Sequence, residues 1–269
     1  MFETFFNLLH TPFARDLPCD KLYATPNSDE LQSRLLFAAN TRGFCVVTGD
    51  VGVGKTTAMR KFVNNLDQNR FRYVYISDSA LTPRVFYWEV LKELSNLEKP
   101  CLYRSDGKHK MMLALQAMLD SGHQTPVIII DEAHLLSFEM LKETRFLLNY
   151  KMDSQNPMAL IIVGQSELRA TLSKEICEPI CQRIDYRFKL PLYDRCQTQD
   201  YIAAHMAFAG ETRQIFLDSA ISAIFAYSGG CARKINKLCS LALMSAAQQN
   251  ARTIDESLIA LVIDQELSW

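Results

Sequence analysis

The sequence predicts an α/β protein in which a parallel sheet has helices on both faces and is followed by a small all-helical domain. Three observations lead to this fold class. Short apolar runs alternate with helical patterns, a glycine-rich segment joins the first run to a helix, and no strand pattern appears after Leu192. Strands that alternate with helices are typical of parallel sheets covered on both faces.

The predicted elements follow from the spacing of the apolar residues. Strand-sized apolar runs occupy residues 44–48, 73–76, 127–130 and 160–163. Helical patterns occupy residues 55–66, 83–97, 111–121 and 137–150, and later residues 198–209, 218–228, 232–250 and 256–265. Thr253 and Glu256 have the spacing of a capping box, which predicts that they begin the last helix.

Composition and charge exclude several classes of protein. Hydrophobic residues make up 48% of the chain and charged residues 22%, as in folded globular proteins. The formal net charge is -1, so any contact with nucleic acid requires a local basic patch. No apolar run approaches the roughly 18 residues that cross a bilayer. Glu3 stands where a secretory signal carries a basic residue, so we expect a cytoplasmic protein that is not integral to a membrane.

The eight cysteines lack the regular spacing of a disulfide framework. Cys177 and Cys181 are spaced to share one helical face. No nearby His or second Cys pair completes a tetrahedral zinc site with them. We expect the two thiols to be reduced and to have a packing role.

A glycine-rich loop stands between the first predicted strand and the helix that follows it. Its sequence, GDVGVGKT from Gly49 to Thr56, matches the P-loop pattern G-x-x-x-x-G-K-[ST] at every fixed position. Backbone N–H groups of such a loop surround phosphate oxygens, Lys55 reaches the β and γ phosphates, and the Thr56 hydroxyl ligates magnesium. Taken alone, the motif is also compatible with a glycine turn followed by Lys and Thr by chance. The predicted nucleotide contacts are Gly49, Asp50, Val51, Gly52, Val53, Gly54, Lys55, Thr56 and Thr57.

A second motif supports the nucleotide interpretation. Four β-branched residues at 127–130 are followed by Asp131 and Glu132, at the end of a strand where ligands of open parallel sheets bind. Asp131 suits the magnesium shell, and Glu132 suits a base that orients the attacking water. A solvated cluster of strand-end carboxylates is the alternative. His134 completes the letters DEAH of a helicase group, but the chain is too short for two RecA-like domains, so we expect a packing or supporting role for His134.

With both motifs in place, nearly the whole chain resembles AAA+ ATPases of the ExeA/GspA type and, more loosely, the TnsC/TniB-type regulators of DNA transposition. The resemblance implies ATP and Mg²⁺ as cofactors, ATP hydrolysis, and an AAA+ P-loop NTPase fold of the ASCE type with a helical lid. It predicts an N-terminal aromatic segment at residues 1–26, an ATPase domain at 27–192 and a lid domain at 193–269.

The resemblance also assigns roles to individual residues. Pro12 and Phe13 are similar to an aromatic opening segment that lies near the adenine, although aromatic residues there are equally typical of a core. Gln165 occupies the sensor-1 position, which detects the γ phosphate. Arg183 occupies the position of the arginine finger, which acts on the phosphoryl group in a neighbouring subunit, and a surface ion pair is its alternative. Arg233 occupies the sensor-2 position in the lid.

The resemblance predicts a homo-oligomer, either a ring or a helical filament, because AAA+ active sites lie between subunits. We expect a transposition regulator that assembles with ATP on double-stranded DNA and presents target DNA to a transposase partner. Secretion-type ExeA proteins continue into a membrane segment and a peptidoglycan-binding domain, whereas this sequence ends at Trp269, which favours that expectation. The alternatives are a cytoplasmic ATPase of a secretion or envelope assembly system that acts on protein partners, and an ATPase of a defence or signalling system.

Basic side chains between the second and third predicted strands, and in the helix after the acidic motif, are candidate DNA contacts. Contacts of this kind go to phosphates, do not depend on base sequence and weaken with salt. A solvated surface is the alternative for each of these side chains. The candidates are Arg104, Lys108, His109, Lys110, Lys142 and Arg145.

Overall fold

The computed structural model describes residues 2–78, 81–95, 97, 99–148 and 155–267. The chain divides into two compact units. The first, which we call the sheet unit, consists of Asn27–Asp50 and Lys55–Leu190. The second, which we call the helical unit, consists of Met1–Pro26, Val51–Gly54 and Pro191–Trp269. The N-terminal segment therefore groups with the C-terminal helices, and so does the middle of the glycine-rich loop.

Among the described residues, the sheet unit contains five parallel strands in the order β2-β3-β4-β1-β5. Adjacent side chains on a strand point to opposite faces of a sheet. Ile129 and Ile130 on β3 are both fully buried, as are Ile161 and Ile162 on β4, so both faces of the sheet are covered. The predicted α/β class with a parallel sheet is confirmed. The strands are β1 Phe44–Thr48, β2 Phe71–Ile76, β3 Thr125–Ile130, β4 Ala159–Gly164 and β5 Tyr186–Lys189.

The strand β5 is absent from the sequence prediction. It pairs with β1 at one edge of the sheet. Of its residues Phe188 is buried, whereas Arg187 and Lys189 are exposed. A short edge strand of this kind lacks the continuous apolar run from which β1 to β4 were predicted.

Three helices of the sheet unit were not predicted, α2 Pro26–Thr41, α7 Ser166–Leu172 and α8 Glu178–Cys181, and α5 begins earlier than predicted. Helix α2 was not predicted, because two of its four buried positions are the alanines Ala38 and Ala39, which give a weak apolar pattern beside Leu31 and Leu35. Helix α5 begins at Arg104 instead of residue 111. The end of the helix predicted at 137–150 lies outside the described residues. The helices are α2 Pro26–Thr41, α3 Lys55–Asn65, α4 Pro83–Ser95, α5 Arg104–Ser121, α6 Phe138–Leu147, α7 Ser166–Leu172 and α8 Glu178–Cys181.

The helical unit has its own apolar core. Phe6 and Phe13 from the N-terminal segment join buried residues of the later helices, including Ile224, Leu238 and Ile259. Within the described part of the chain, no helix has the length and apolar character needed to cross a membrane. The helices are α1 Phe2–Phe6, α9 Arg195–Phe208, α10 Asp218–Ser228, α11 Ala232–Gln248 and α12 Glu256–Val262, and α12 continues into a π-helical turn at Ile263–Leu267.

The predicted capping box at the start of α12 is wrong. Asp255, not Thr253, is the N-cap residue, and its side chain accepts a hydrogen bond of 3.0 Å from the backbone N–H of Leu258. Asp is as good an N-cap as Thr because both present a side-chain oxygen to the unpaired N–H groups of the first turn. The spacing of Thr253 and Glu256 therefore placed the N-cap two residues too early.

Gly229 and Gly230 provide a matched test of the turn between α10 and α11. Both have positive φ, 57° and 79°. A Cβ atom on Gly229 would meet nothing within 4 Å, whereas a Cβ on Gly230 would lie 1.8 Å from the carbonyl oxygen of Tyr193. We expect Gly229→Ala to lower the free energy of unfolding by about 1 kcal/mol, and Gly230→Ala to lower it by about 3 kcal/mol or more because steric overlap adds to the backbone strain. Urea unfolding followed by circular dichroism measures both, and equal losses would contradict this account of the turn.

Candidate functional site

The middle of the glycine-rich loop contacts the first turn of α11. The carbonyl oxygen of Gly52 accepts a hydrogen bond of 3.2 Å from the backbone N–H of Arg233, and that of Val51 accepts one of 3.3 Å from Cys231 Sγ. Gly52 has a φ of 79°, and a Cβ atom there would lie 2.8 Å from Cys231 Sγ and from Arg233 Cβ. Gly54, with a φ of 101°, also requires a conformation that suits glycine. Glycine at these positions therefore permits both the curvature of the loop and its contact with α11.

Lys55 is the first residue of α3 and is buried, with 7% of its surface exposed. Its Nζ donates hydrogen bonds of 2.8 Å to the carbonyl oxygen of Gly49 and 2.9 Å to that of Asp50. A buried ammonium group needs such acceptors to offset the loss of hydration. The loop therefore holds a positive charge at its base, at the N-terminus of a helix whose dipole also favours anions.

The Asp131 carboxylate joins three segments of the sheet unit. It follows β3 and is 2% exposed. Its Oδ2 accepts hydrogen bonds from Thr56 Oγ1 and from the Tyr75 hydroxyl, both of 2.8 Å, and its Oδ1 accepts one of 2.8 Å from the backbone N–H of Glu132. Burial and the hydrogen bond to Asp131 raise the pKa of Tyr75, so its hydroxyl is a donor at neutral pH. The predicted pair Thr56 and Asp131 is thus in direct contact.

Tyr75 is a site residue that the sequence analysis missed. It lies on β2, and parallel pairing places it beside Ile129 of β3, two residues before Asp131. Tyr75 lies near the end of an apolar run that predicts a strand. If that strand neighbours the one before the acidic motif, a side chain with a polar tip at its end can reach the motif. Predicting this contact requires knowledge that β2 and β3 are neighbours.

Glu132 lies in a turn with an unusual backbone conformation, a φ of 52° at a residue that is not glycine. Such conformations cost free energy and occur often at functional sites. Its Oε2 accepts a hydrogen bond of 3.4 Å from Gln165 Nε2. His134 Nδ1 lies 3.5 Å from the same oxygen, which is ion-pair distance, but the geometry is not that of a hydrogen bond. The candidate base, the sensor-1 candidate and His134 are therefore neighbours.

The turn that carries Gln165 is also connected to the start of the glycine-rich loop. Gln165 directly follows β4 and precedes α7. The next residue, Ser166, donates a hydrogen bond of 2.5 Å from its Oγ to Asp50 Oδ1. The turn at Gln165 and Ser166 thus contacts both Glu132 and Asp50.

The two candidate arginines lie in different units. Arg183 is half-buried in the turn between α8 and β5 of the sheet unit, where its backbone N–H donates to the carbonyl oxygen of Ile180. Arg233 is exposed in the first turn of α11, in the helical unit. The arginine-finger role of Arg183 and the sensor-2 role of Arg233 stay predictions.

Pro12 and Phe13 are buried in the helical unit. Phe13 stacks on His205 with ring centroids 5.0 Å apart, and its backbone N–H donates to His205 Nδ1 at 3.2 Å. Burial lowers the pKa of His205 to about 4, so the imidazole is neutral at pH 7 and its Nδ1 accepts this hydrogen bond. These contacts make Phe13 a core residue, and its predicted contact with adenine remains a prediction.

Arg104 and Lys108 have a structural role that the sequence analysis did not foresee. Both form ion pairs with Glu143, which is 1% exposed on α6, and Arg104 also pairs with Glu139. Burial by itself would raise the pKa of Glu143, but hydrogen bonds from Tyr87, Lys108 and Arg104 outweigh it and hold the pKa below its usual range. These two cations therefore neutralise a buried carboxylate rather than form an unpaired basic patch.

The other candidate DNA contacts lie at the surface. Lys110 pairs with Asp106 at 3.0 Å. Lys142 lies over the Phe138 ring, with Nζ 4.4 Å from its centroid, and Arg145 is exposed one turn further along α6. Lys142 and Arg145 are both exposed on α6, so substitution of the two residues can test whether this helix contacts DNA phosphates.

Cys177 directly precedes α8, and Cys181 is its last residue. Cys177 is buried, and burial raises the pKa of its thiol. Cys181 Sγ donates to the carbonyl oxygen of Leu172 at 3.0 Å. Across the described ranges, no group of three or more His, Cys, Asp or Glu side chains is arranged to hold a metal ion. The burial of Cys177 and the hydrogen bond of Cys181 to the backbone agree with the packing role expected for both thiols.

The chain is similar to known proteins along most of its length. Residues 38–172, half of the chain, match the family described as AAA domain. The chain is 28% identical over 267 residues to the General secretion pathway protein A of Aeromonas hydrophila, and the match covers 97% of this chain and 48% of that protein. The chain therefore spans about half the length of this curated relative.

Solved structures share the fold. The Drosophila ORC bound to DNA has a TM-score of 0.70 and 16% identity, covering 100% of this chain and 65% of that chain. Cdc6p from Pyrobaculum aerophilum has a TM-score of 0.65 and 17% identity, covering 94% and 68%. The Thermotoga maritima RuvB Holliday junction branch migration motor has a TM-score of 0.62 and 18% identity, covering 94% and 72%.

At these identities the solved structures establish the fold alone. The family match covers residues 38–172, a range that includes the glycine-rich loop, Asp131 and Glu132. The chain belongs to the AAA domain family and is similar to the General secretion pathway protein A over nearly its whole length.

Proposed function

We propose that this chain binds Mg²⁺ and ATP at the glycine-rich loop and hydrolyses ATP at the bond between the β and γ phosphates, and that nucleotide state controls its assembly. The observation that carries the proposal is the set of contacts around Asp131. The Thr56 hydroxyl at the base of the loop bonds to this carboxylate, and the adjacent Glu132 bonds to Gln165. These groups are the ones that phosphoryl transfer requires: metal ligands, a base and a phosphate detector.

The residues present fit a magnesium–nucleotide complex. Mg²⁺ prefers oxygen ligands and is usually held by one or two protein oxygens, by phosphates and by water. The Thr56 hydroxyl donates a hydrogen bond to Asp131, which leaves the lone pairs of the hydroxyl oxygen available to a cation. Bound Mg²⁺ would neutralise charge on the phosphate oxygens.

Each remaining residue has a proposed task. Lys55, now bonded to two loop carbonyl groups, reorients towards the β and γ phosphates, with which an ammonium group interacts more strongly. Glu132 orients a water molecule and takes its proton. Gln165 contacts the γ phosphate and is hydrogen-bonded to Glu132. Arg183 of one subunit acts on the phosphoryl group in another, and Arg233 acts on the nucleotide from the lid.

The finer proposal is that the assembly is a transposition regulator. It forms rings or filaments on double-stranded DNA without base specificity and presents that DNA to a transposase. Its support is the resemblance to the TnsC/TniB type together with the exposed Lys142 and Arg145 on α6. Electrostatic attachment of this kind needs only surface cations facing phosphates.

A second candidate is an ATPase of a secretion or envelope assembly system that acts on protein partners. The match to the General secretion pathway protein A favours it. The pairing of Arg104 and Lys108 with Glu143 also favours it, because it removes two cations from the surface available to DNA. Both candidates use the same ATP site and differ in the partner of the assembly.

A pair of variants separates nucleotide binding from hydrolysis. We expect Lys55→Ala to lose ATP binding because the buried positive charge disappears, and Glu132→Gln to keep ATP binding while its turnover falls by about 10² or more, because an amide cannot accept the proton. Calorimetric titration with ATP measures binding, and phosphate release measures turnover. Normal turnover by Glu132→Gln would show that another residue is the base.

Sedimentation with duplex DNA tests the transposition proposal. We expect large complexes with ATP or a non-hydrolysable analogue, none with ADP, and weaker binding as salt rises. The double variant Lys142→Ala/Arg145→Ala should reduce the slope of log affinity against log salt by about 2, since each lost phosphate contact contributes about 0.9. Lys174→Ala/Lys237→Ala, which removes two exposed cations elsewhere, is the control.

The absence of DNA association with every nucleotide would contradict the transposition proposal. It would leave the ATP-site proposal intact and favour protein partners. An equal loss of salt dependence in both double variants would show that α6 is not the DNA-binding surface.

A further inference from the structure

Tyr75 contacts the Asp131 carboxylate from a strand that belongs to neither nucleotide motif. Its hydroxyl lies 2.8 Å from Asp131 Oδ2. The Thr56 hydroxyl lies at the same distance from the same oxygen. Three chain segments that are distant in sequence, β2, β3 and α3, therefore meet at a single carboxylate oxygen.

The hydrogen bonds nearly fill the acceptor capacity of Asp131. Each carboxylate oxygen has about two acceptor positions. Thr56 and Tyr75 occupy both positions of Oδ2, and the N–H of Glu132 occupies one position of Oδ1. The carboxylate is thereby held in one rotational orientation, with acceptor capacity remaining on Oδ1.

We propose that Tyr75 is a positioning residue for Mg²⁺: its hydroxyl fixes the orientation of the Asp131 carboxylate and so raises the affinity of the nucleotide site for the metal ion. The inference rests on the proposed function, since it takes Mg²⁺ and ATP as the ligands. Groups that hydrogen-bond to a metal-binding carboxylate typically contribute a factor of 10 to 100 in metal affinity or activity. The role of Tyr75 is indirect, because it acts through Asp131.

The strand β2 supplies a close control for this proposal. Tyr73 lies two residues before Tyr75, on the same face of the strand, and the exposed fractions of the two residues are 38% and 39%. Tyr75→Phe and Tyr73→Phe each remove one hydroxyl from a half-exposed ring. They differ in that the Tyr75 hydroxyl bonds to Asp131, so a general effect of losing a hydroxyl from β2 appears in both variants.

The experiment measures the Mg²⁺ concentration that gives half-maximal enhancement of binding of a fluorescent, non-hydrolysable ATP analogue. No turnover is involved. We expect this concentration to rise about 10-fold in Tyr75→Phe and to stay at the wild-type value in Tyr73→Phe. Analogue binding in the presence of a chelator should be the same for all three proteins. Far-UV circular dichroism and a melting curve without ligand check that each variant is folded.

An unchanged Mg²⁺ requirement in Tyr75→Phe would overturn the inference, as would an equal rise in Tyr73→Phe. A lower melting temperature of Tyr75→Phe with an unchanged Mg²⁺ requirement would assign the hydroxyl a purely structural role and also overturn it. Failure of the proposed function looks different, because wild-type protein would then bind no analogue at any Mg²⁺ concentration.

Discussion

A carboxylate removed from water must be matched by hydrogen-bond donors, and the site is organised around one such group. Asp131 is 2% exposed and accepts hydrogen bonds from Thr56, Tyr75 and the backbone of Glu132. An unmatched buried charge costs several kcal/mol, so these donors have to be in place when the protein is folded. The pairing of β2 with β3 and the start of α3 after the loop satisfy that requirement.

The turn after Asp131 determines where the side chain of Glu132, the proposed base, lies. Glu132 adopts a positive φ, which costs about 1 to 2 kcal/mol in a residue with a Cβ atom. The hydrogen bond from its own backbone to Asp131 helps to hold this conformation. Its side chain is then directed to Gln165, which follows β4, the next strand of the sheet. Glu132, the proposed base, and Gln165, the proposed phosphate detector, are neighbours because their strands are neighbours.

Local sequence predicted the parts of this arrangement that depend on short spacing. The loop from Gly49 to Thr56 and the pair Asp131 and Glu132 are contiguous motifs beside apolar strands. Tyr75 was beyond such reasoning, because its partner is 56 residues away and only the sheet order brings them together. Arg104 and Lys108 were predicted to form a basic surface because a sequence gives the charge of a residue. It does not give the burial of their partner, Glu143. The edge strand β5 was missed for a related reason, since one buried Phe does not make an apolar run.

The central claim is that Asp131 and Thr56 hold Mg²⁺ at the phosphates of a nucleotide bound to the loop. The most direct test is an experimental structure of the protein with Mg²⁺ and a non-hydrolysable ATP analogue. The account predicts a metal ion bound to Thr56 Oγ1 and to the Asp131 carboxylate, directly or through water, with Lys55 Nζ on the phosphates. A nucleotide bound away from Gly49–Thr56, or a metal ion without contact to Thr56 and Asp131, would contradict it.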